Sequence, residues 1–241
     1  MAANAARSTT ASGGGAVADD TSSDEHTILI FGDSNTWGFD PAGAGRIPRS
    51  ARWAVGVERI LADKGVRVVE MGLNARTCVV EDPIGPCAGE YSCCGRTALL
   101  PILHSVKPVS LVVIALGVND CKSYFGLHAV QIAEGARVLV RDVLKSTECG
   151  VDGGTPQILL LGPPLLQCTP TSEAWGFVGC EEKSAALGAC FAKVATEENV
   201  HFLDLAQVSA VSPLDGIHFS TDAQAALSSA VADAAAAALS L

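Results

Sequence analysis

Five short apolar runs, at about 27–32, 66–70, 110–116, 157–162 and 200–204, are separated by stretches long enough to hold a helix. Most of these runs are apolar with little polar alternation, and such a run has no face to offer water, so it is expected to be buried on both sides. Buried strands alternating with helical segments build a parallel sheet covered by helices on both faces. The expected fold class is therefore α/β.

The intervening segments carry helical periodicity. Trp53, Val57, Ile60 and Leu61 predict a helix over 50–64, and 127–146 predicts a long helix that turns Val130, Ala133 and Val140 to the sheet. A further helix is expected near 181–198. The last one starts around 220–222, where Ser220, Thr221 and Asp222 form a capping cluster.

Composition then narrows the function classes. The 241 residues fit one α/β domain with a sizeable core. Hydrophobic residues make up 49% and mean hydropathy is +0.33, but the apolar runs are strand-length and the stretch 223–241 is mostly alanine, so no membrane span is expected. A net charge of −10 with no cluster of lysine or arginine opposes binding to a phosphate backbone, which excludes nucleic acid as a partner.

Residues 1–26 contain no aromatic side chain, and they carry acids at Asp19, Asp20, Asp24 and Glu25. They are expected to be disordered, leaving 27–241 as the folded domain. With no apolar h-region and only Arg7 as a cation, the segment reads as cytoplasmic by default, a short organellar signal being the alternative.

Nine cysteines are an odd count, so a complete disulfide framework is ruled out. Cys87, Cys93 and Cys94 fall in one loop, which opens a redox or metal-binding reading of another class, or a local disulfide in an oxidising compartment. Their spacing matches no paired metal motif and no nearby histidine completes a ligand set, so no metal and no cofactor are expected. Cys78, Cys121, Cys168 and Cys190 read as small apolar fillers.

The chemistry sits at the strand ends. Gly32-Asp33-Ser34-Asn35-Thr36-Trp37-Gly38 follows the first run, Gly72-Leu73-Asn74-Ala75-Arg76 the second, and Gly117-Val118-Asn119-Asp120 the third. Asp215-Gly216-Ile217-His218 lies between the fifth run and the last helix. In an open parallel sheet these carboxyl ends share one crevice. A serine hydroxyl needs a base to take its proton and donors for the oxyanion, and this set supplies both.

Those four segments resemble, in order, the sequence blocks of the SGNH hydrolases, also called GDSL esterases and lipases. Trp53 to Val57, Gly72 to Thr77, Asn119 to Phe125 and Asp215 to Phe219 resemble an arylesterase and acyltransferase branch. The resemblance spans most of 27–241. It implies a flavodoxin-like three-layer sandwich with a five-stranded parallel sheet. It also implies Ser34 as nucleophile, His218 as base and Asp215 as its orienting group, with Ser34, Gly72 and Asn119 forming the oxyanion hole.

The implied activity is hydrolysis of short-chain carboxylic esters through an acyl-enzyme, with acyl transfer to alcohols. A carbohydrate O-deacetylase is the alternative within the family. Small-molecule esters and alcohols are the expected partners, and a homo-oligomer stays open. Asn35 where leucine is usual, the Cys-rich loop 86–96 and the stretch 167–180 depart from the branch.

Each residue has a plainer rival. Ser34 alone reads as a helix cap, Gly72 as a turn glycine and Asn119 as a turn-satisfying side chain. Asp33 and Asp120 read as braces for their loops, and His201 as structural. Trp37, Phe125, Trp175, Phe177, Ile217 and Phe219 are candidates to line an acyl or alcohol pocket. Trp37 and Ile217 lead because they lie inside the blocks. Arg76 and Lys122 read as weaker candidates, at the surface or an interface.

Overall fold

The computed structural model describes residues 26–43 and 45–241. The expected disorder of the N-terminal segment falls on residues 1–25, outside the described residues, whereas His26 opens the first strand.

Five parallel strands form the sheet: β1 (His26–Gly32), β4 (Val66–Gly72), β5 (Leu111–Ala115), β6 (Gln157–Gly162) and β7 (His201–Asp204). Their spatial order is β4-β1-β5-β6-β7, with registers such as Ile28 opposite Val68 and Val113 opposite Leu159. β1 lies inside the sheet between β4 and β5, and Ile28 to Phe31, an unbroken apolar stretch, have no exposed surface. The chain goes from β1 out to β4 and returns to β5 on the other side. The order therefore reverses at the carboxyl end of β1. A two-stranded ribbon, β2 (Phe39–Asp40) with β3 (Gly45–Arg46), stands apart from the sheet.

The helices cover the sheet as two groups. α2 (Trp53–Ile60) packs with α7 (Gln224–Leu239), while α3 (Gly95–Val106) and α6 (Cys180–Glu198) each pack on α4 (Ala129–Leu144). Two short helices, α1 (Ser34–Trp37) and α5 (Pro170–Ala174), lie at the carboxyl end of the sheet and beside the 215–219 loop.

Three readings change. The helix expected over 50–64 is α2 flanked by 3₁₀ turns at Arg49–Ala51 and Ala62–Lys64, stopped by Gly65 at φ 66°. In α4, Ala133 and Val140 are buried but Val130 is 62% exposed. At 3.6 residues per turn it lies about 160° around the helix from Ile132, which leads the buried stripe continued by Ala136, Leu139 and Val143. α3 was not expected, because it follows the Cys-rich loop and holds Pro101, yet it buries Leu99 and Leu103.

All nine cysteines are free thiols. Cys78 and Cys121 are fully buried, Cys168 and Cys190 partly so, and Cys87 and Cys93 pack with Ala75 and Tyr91. Among the described residues no three histidine, cysteine, aspartate or glutamate side chains gather as a metal group, and no helix is long and apolar enough to cross a membrane.

Candidate active site

β1 ends at Gly32, and the chain turns at once into α1. Asp33 is the cap of that helix: its Oδ1 accepts a hydrogen bond from the Asn35 amide at 2.9 Å. Ser34 is thereby relieved of capping, and its Oγ turns instead to the loop between β7 and α7.

That loop folds back on itself at Gly216, whose φ of 73° is a left-handed conformation that disfavours other residues. The turn brings Asp215 and His218 face to face. Asp215 Oδ2 is 2.7 Å from His218 Nδ1, and Oδ1 accepts from the backbone amides of Ile217 and His218, both at 2.9 Å. His218 Nε2 is 2.8 Å from Ser34 Oγ. All three residues are buried. Burial pushes the Asp215 carboxyl up, but the hydrogen bond and charge of His218 and the two amides outweigh it and hold the group below the usual carboxylate range.

The expected donors separate. Asn119 opens a 3₁₀ turn after β5, and its Nδ2 donates one hydrogen to Arg76 O at 3.1 Å. The second hydrogen of that amide is free to serve another acceptor. Gly72 is not part of the cavity that holds Ser34 and His218. It stands at the end of β4 because α1 presses on it: a Cβ there would meet the Trp37 nitrogen at 2.1 Å. Ala75, three residues on, lines the cavity instead and has φ 61°. Among the described hydrogen bonds, neither the Ala75 nor the Ser34 amide has a partner. The signal for Ala75 was its place in the same block, where the glycine drew the assignment.

The cavity has a volume of about 220 Å³. Ser34, Asn119 and His218 share it with Phe39, Trp175, Phe177 and Ile217. Phe39, which the sequence reading missed, stacks on the His218 ring at 4.2 Å, and Trp175 meets the same ring edge-on at 5.9 Å. Trp37 does not line the cavity, since its ring lies under the Arg46 guanidinium at 4.7 Å. Phe125 packs on Tyr124, and Phe219 faces a separate cavity of about 20 Å³ behind Asp33.

Arg76 and Lys122 are not surface charges. Arg76, 4% exposed, donates to the carbonyls of Gly32 and Met71 and lies over Phe31. Lys122 borders the cavity and pairs with Asp82 at 2.6 Å. Asp120 accepts the Cys78 amide on both oxygens at 3.0 Å. Burial drives the carboxyl of Asp120 up to about 6 and that of Asp33 up to about 7, against the pull of the Cys78 and Asn35 amides. Asp33 Oδ2 is buried without a hydrogen-bond partner among the described residues.

The fold has relatives among solved structures. An aryl esterase of M. smegmatis is 35% identical over 89% of this chain and 100% of its own, with a TM-score of 0.80. A carbohydrate acetylesterase from Sinorhizobium meliloti is 34% identical over 88% and 99%, with a TM-score of 0.81. A second carbohydrate acetylesterase family member from that organism is 29% identical over 90% and 100%, at 0.81. No curated protein matches the sequence. Residues 30–226 match the profile of the GDSL-like lipase/acylhydrolase family, and that span includes the three strand-end segments and the 215–218 loop; the chain belongs to that family.

Proposed function

We propose that this ester hydrolase works through an acyl-enzyme on Ser34 and takes short-chain esters, with alcohols competing with water for the acyl group. The observation that carries the reading is the continuous hydrogen-bonded line from Ser34 through His218 to Asp215 on the wall of a small aromatic cavity.

In this mechanism Ser34 Oγ attacks the ester carbonyl while His218 Nε2 takes its proton. The same nitrogen then returns the proton to the leaving alkoxide as the carbon–oxygen bond breaks. Asp215 keeps Nδ1 protonated and stabilises the imidazolium. The Ser34 and Ala75 amides and the Asn119 carboxamide hold the oxyanion, with Ala75 taking the place expected of Gly72. Water or an alcohol, deprotonated by His218, then attacks the acyl carbonyl; the bond from that carbon to Ser34 Oγ breaks, His218 returns the proton to Oγ, and the acid or new ester leaves.

The cavity limits the substrate. At about 220 Å³ it is smaller than usual drug-sized ligand sites, which favours an acetyl or similarly short acyl group. Phe39, Trp175, Phe177 and Ile217 favour an apolar or aromatic leaving group over a sugar ring, although relatives of both kinds exist.

The test is Ser34→Ala. Turnover of p-nitrophenyl acetate should fall by about 10⁴ to 10⁶, and a fluorophosphonate should label the wild type and not the variant. A variant that keeps a tenth of the turnover rejects the nucleophile.

A further inference from the structure

Asn35 follows the nucleophile directly and reaches the loop that carries the base. Its Nδ2 donates to the Ile217 carbonyl at 3.3 Å, and its Oδ1 accepts from the Phe219 amide at 3.1 Å. One carboxamide thus grips the residues on either side of His218. The orientation of the amide follows from its partners, since a carbonyl only accepts and an N–H only donates.

Asn35 is itself held in place. Its amide donates to Asp33 Oδ1 at 2.9 Å, and its carbonyl accepts from Trp53 Nε1 at 3.0 Å. Ile217 and Phe219 are each 2% exposed, so water is poorly placed to replace a lost partner.

The 215–219 loop is closed within itself by the bonds of Asp215 to its own amides and to the imidazole. On its far side, Gln167 N donates to Gly216 O and Thr169 Oγ1 donates to Asp215 O. Those contacts fix the loop to the segment before α5 and leave it free of the nucleophile turn. Between that turn and the base loop stand the Ser34–His218 hydrogen bond, which the reaction must break and remake, and the two bonds of Asn35.

We propose that Asn35 is a positioning residue that sets the register of His218 Nε2 on Ser34 Oγ, an inference that rests on the reading of those two residues as base and nucleophile. It holds the two loops together while their shared proton is in transit. The Asp215–His218 pair travels as one unit, so Asn35 acts on the distance between loops and not on the charge of the imidazole.

Asn35→Leu removes both bonds at similar volume, and Asn35→Asp keeps only the acceptor for Phe219. With p-nitrophenyl acetate, Asn35→Leu should lose about 10- to 100-fold in kcat, the scale of a misplacement near 1 Å, with KM within about threefold. Fluorophosphonate labelling should slow by the same factor as kcat/KM, and Asn35→Asp should fall between. The midpoint of the acid limb of kcat/KM and the far-downfield imidazole N–H proton signal should match the wild type in Asn35→Leu, because the Asp215–His218 bond is intact.

Turnover within about twofold of wild type in Asn35→Leu, a loss confined to KM, a loss that only tracks the folded fraction by circular dichroism, or a shifted acid limb each overturns the proposal. Ser34→Ala separates the underlying reading: if that variant stays active, the nucleophile itself is misassigned, whereas an inactive Ser34→Ala beside a fully active Asn35→Leu sinks only the positioning role.

Discussion

Lys122 Nζ lies 2.6 Å from Asp82 Oδ2, and the two side chains are 2% and 0% exposed. Tyr124 OH donates to the same carboxylate at 2.9 Å. Removing one member of such a pair strands a buried charge at a cost of about 3–5 kcal/mol, while replacing both with apolar groups is often neutral. Lys122→Met should therefore destabilise the protein by about that amount in guanidinium unfolding, and adding Asp82→Leu should recover most of it. A single variant as stable as the wild type contradicts the isolation of the pair.

The oxyanion donors can be told apart by two glycine–alanine exchanges. Ala75→Gly keeps the amide and relieves a φ of 61°, so activity should stay within a few-fold. Gly72→Ala should fail through misfolding, since its Cβ would land 2.1 Å from the Trp37 nitrogen. Asn119→Ala should lower kcat by about 10²- to 10³-fold with little change in KM. Full turnover in Asn119→Ala removes that donor from the mechanism.

Stability should fall as pH rises from about 4 to 7, in part because of Asp33. Its folded carboxyl keeps a proton up to about 7 while the unfolded one releases it near 3.8, so unfolding frees a proton throughout that window. Each unit of such a difference is worth about 1.4 kcal/mol. The contribution is complete below 4 and gone above 7. Asp33→Asn removes it, and should gain on the wild type in melting temperature between pH 5 and pH 8. Parallel melting curves across that range would mean that Asp33 titrates normally.

Acyl transfer is read with vinyl acetate and benzyl alcohol in buffer. In the proposed mechanism the acyl-enzyme partitions between two nucleophiles, and a small apolar cavity would concentrate the alcohol. Benzyl acetate should form at early times. Acetate alone defeats transfer and leaves hydrolysis untouched.

What the sequence showed and hid follows from how local each signal was. β1, β5 and β6 were legible because each has an unbroken apolar stretch, whereas β4 carries Arg67 and Glu70 and β7 is short, with Phe202 and Leu203 between His201 and Asp204; the strand order places the motif ends together. α3 was hidden by Pro101 and a cysteine-rich start. Val130 looked like core because it is apolar, yet its angular position decides otherwise. At the site, the resemblance of the four blocks singled out Ser34, Asp215 and His218, which the fold brings within hydrogen-bond reach, but Phe39 and Ala75 depend on where a short ribbon and a left-handed turn put them. Trp37 sat inside a motif and still turned toward Arg46. A carboxamide bridging 182 and 184 positions leaves no trace in any window of sequence.

The 184 positions between Ser34 and His218 also govern when the molecule becomes chemically competent during its own synthesis. The strand that leads into Ser34 lies inside the sheet between β4 and β5, and the other four strands are translated after it. Until the residues around 218 have left the ribosome, Ser34 is an ordinary alcohol on a growing chain. Under the proposed mechanism, a nascent fragment cut short before His218 carries the nucleophile without its base and has no means of acylating itself.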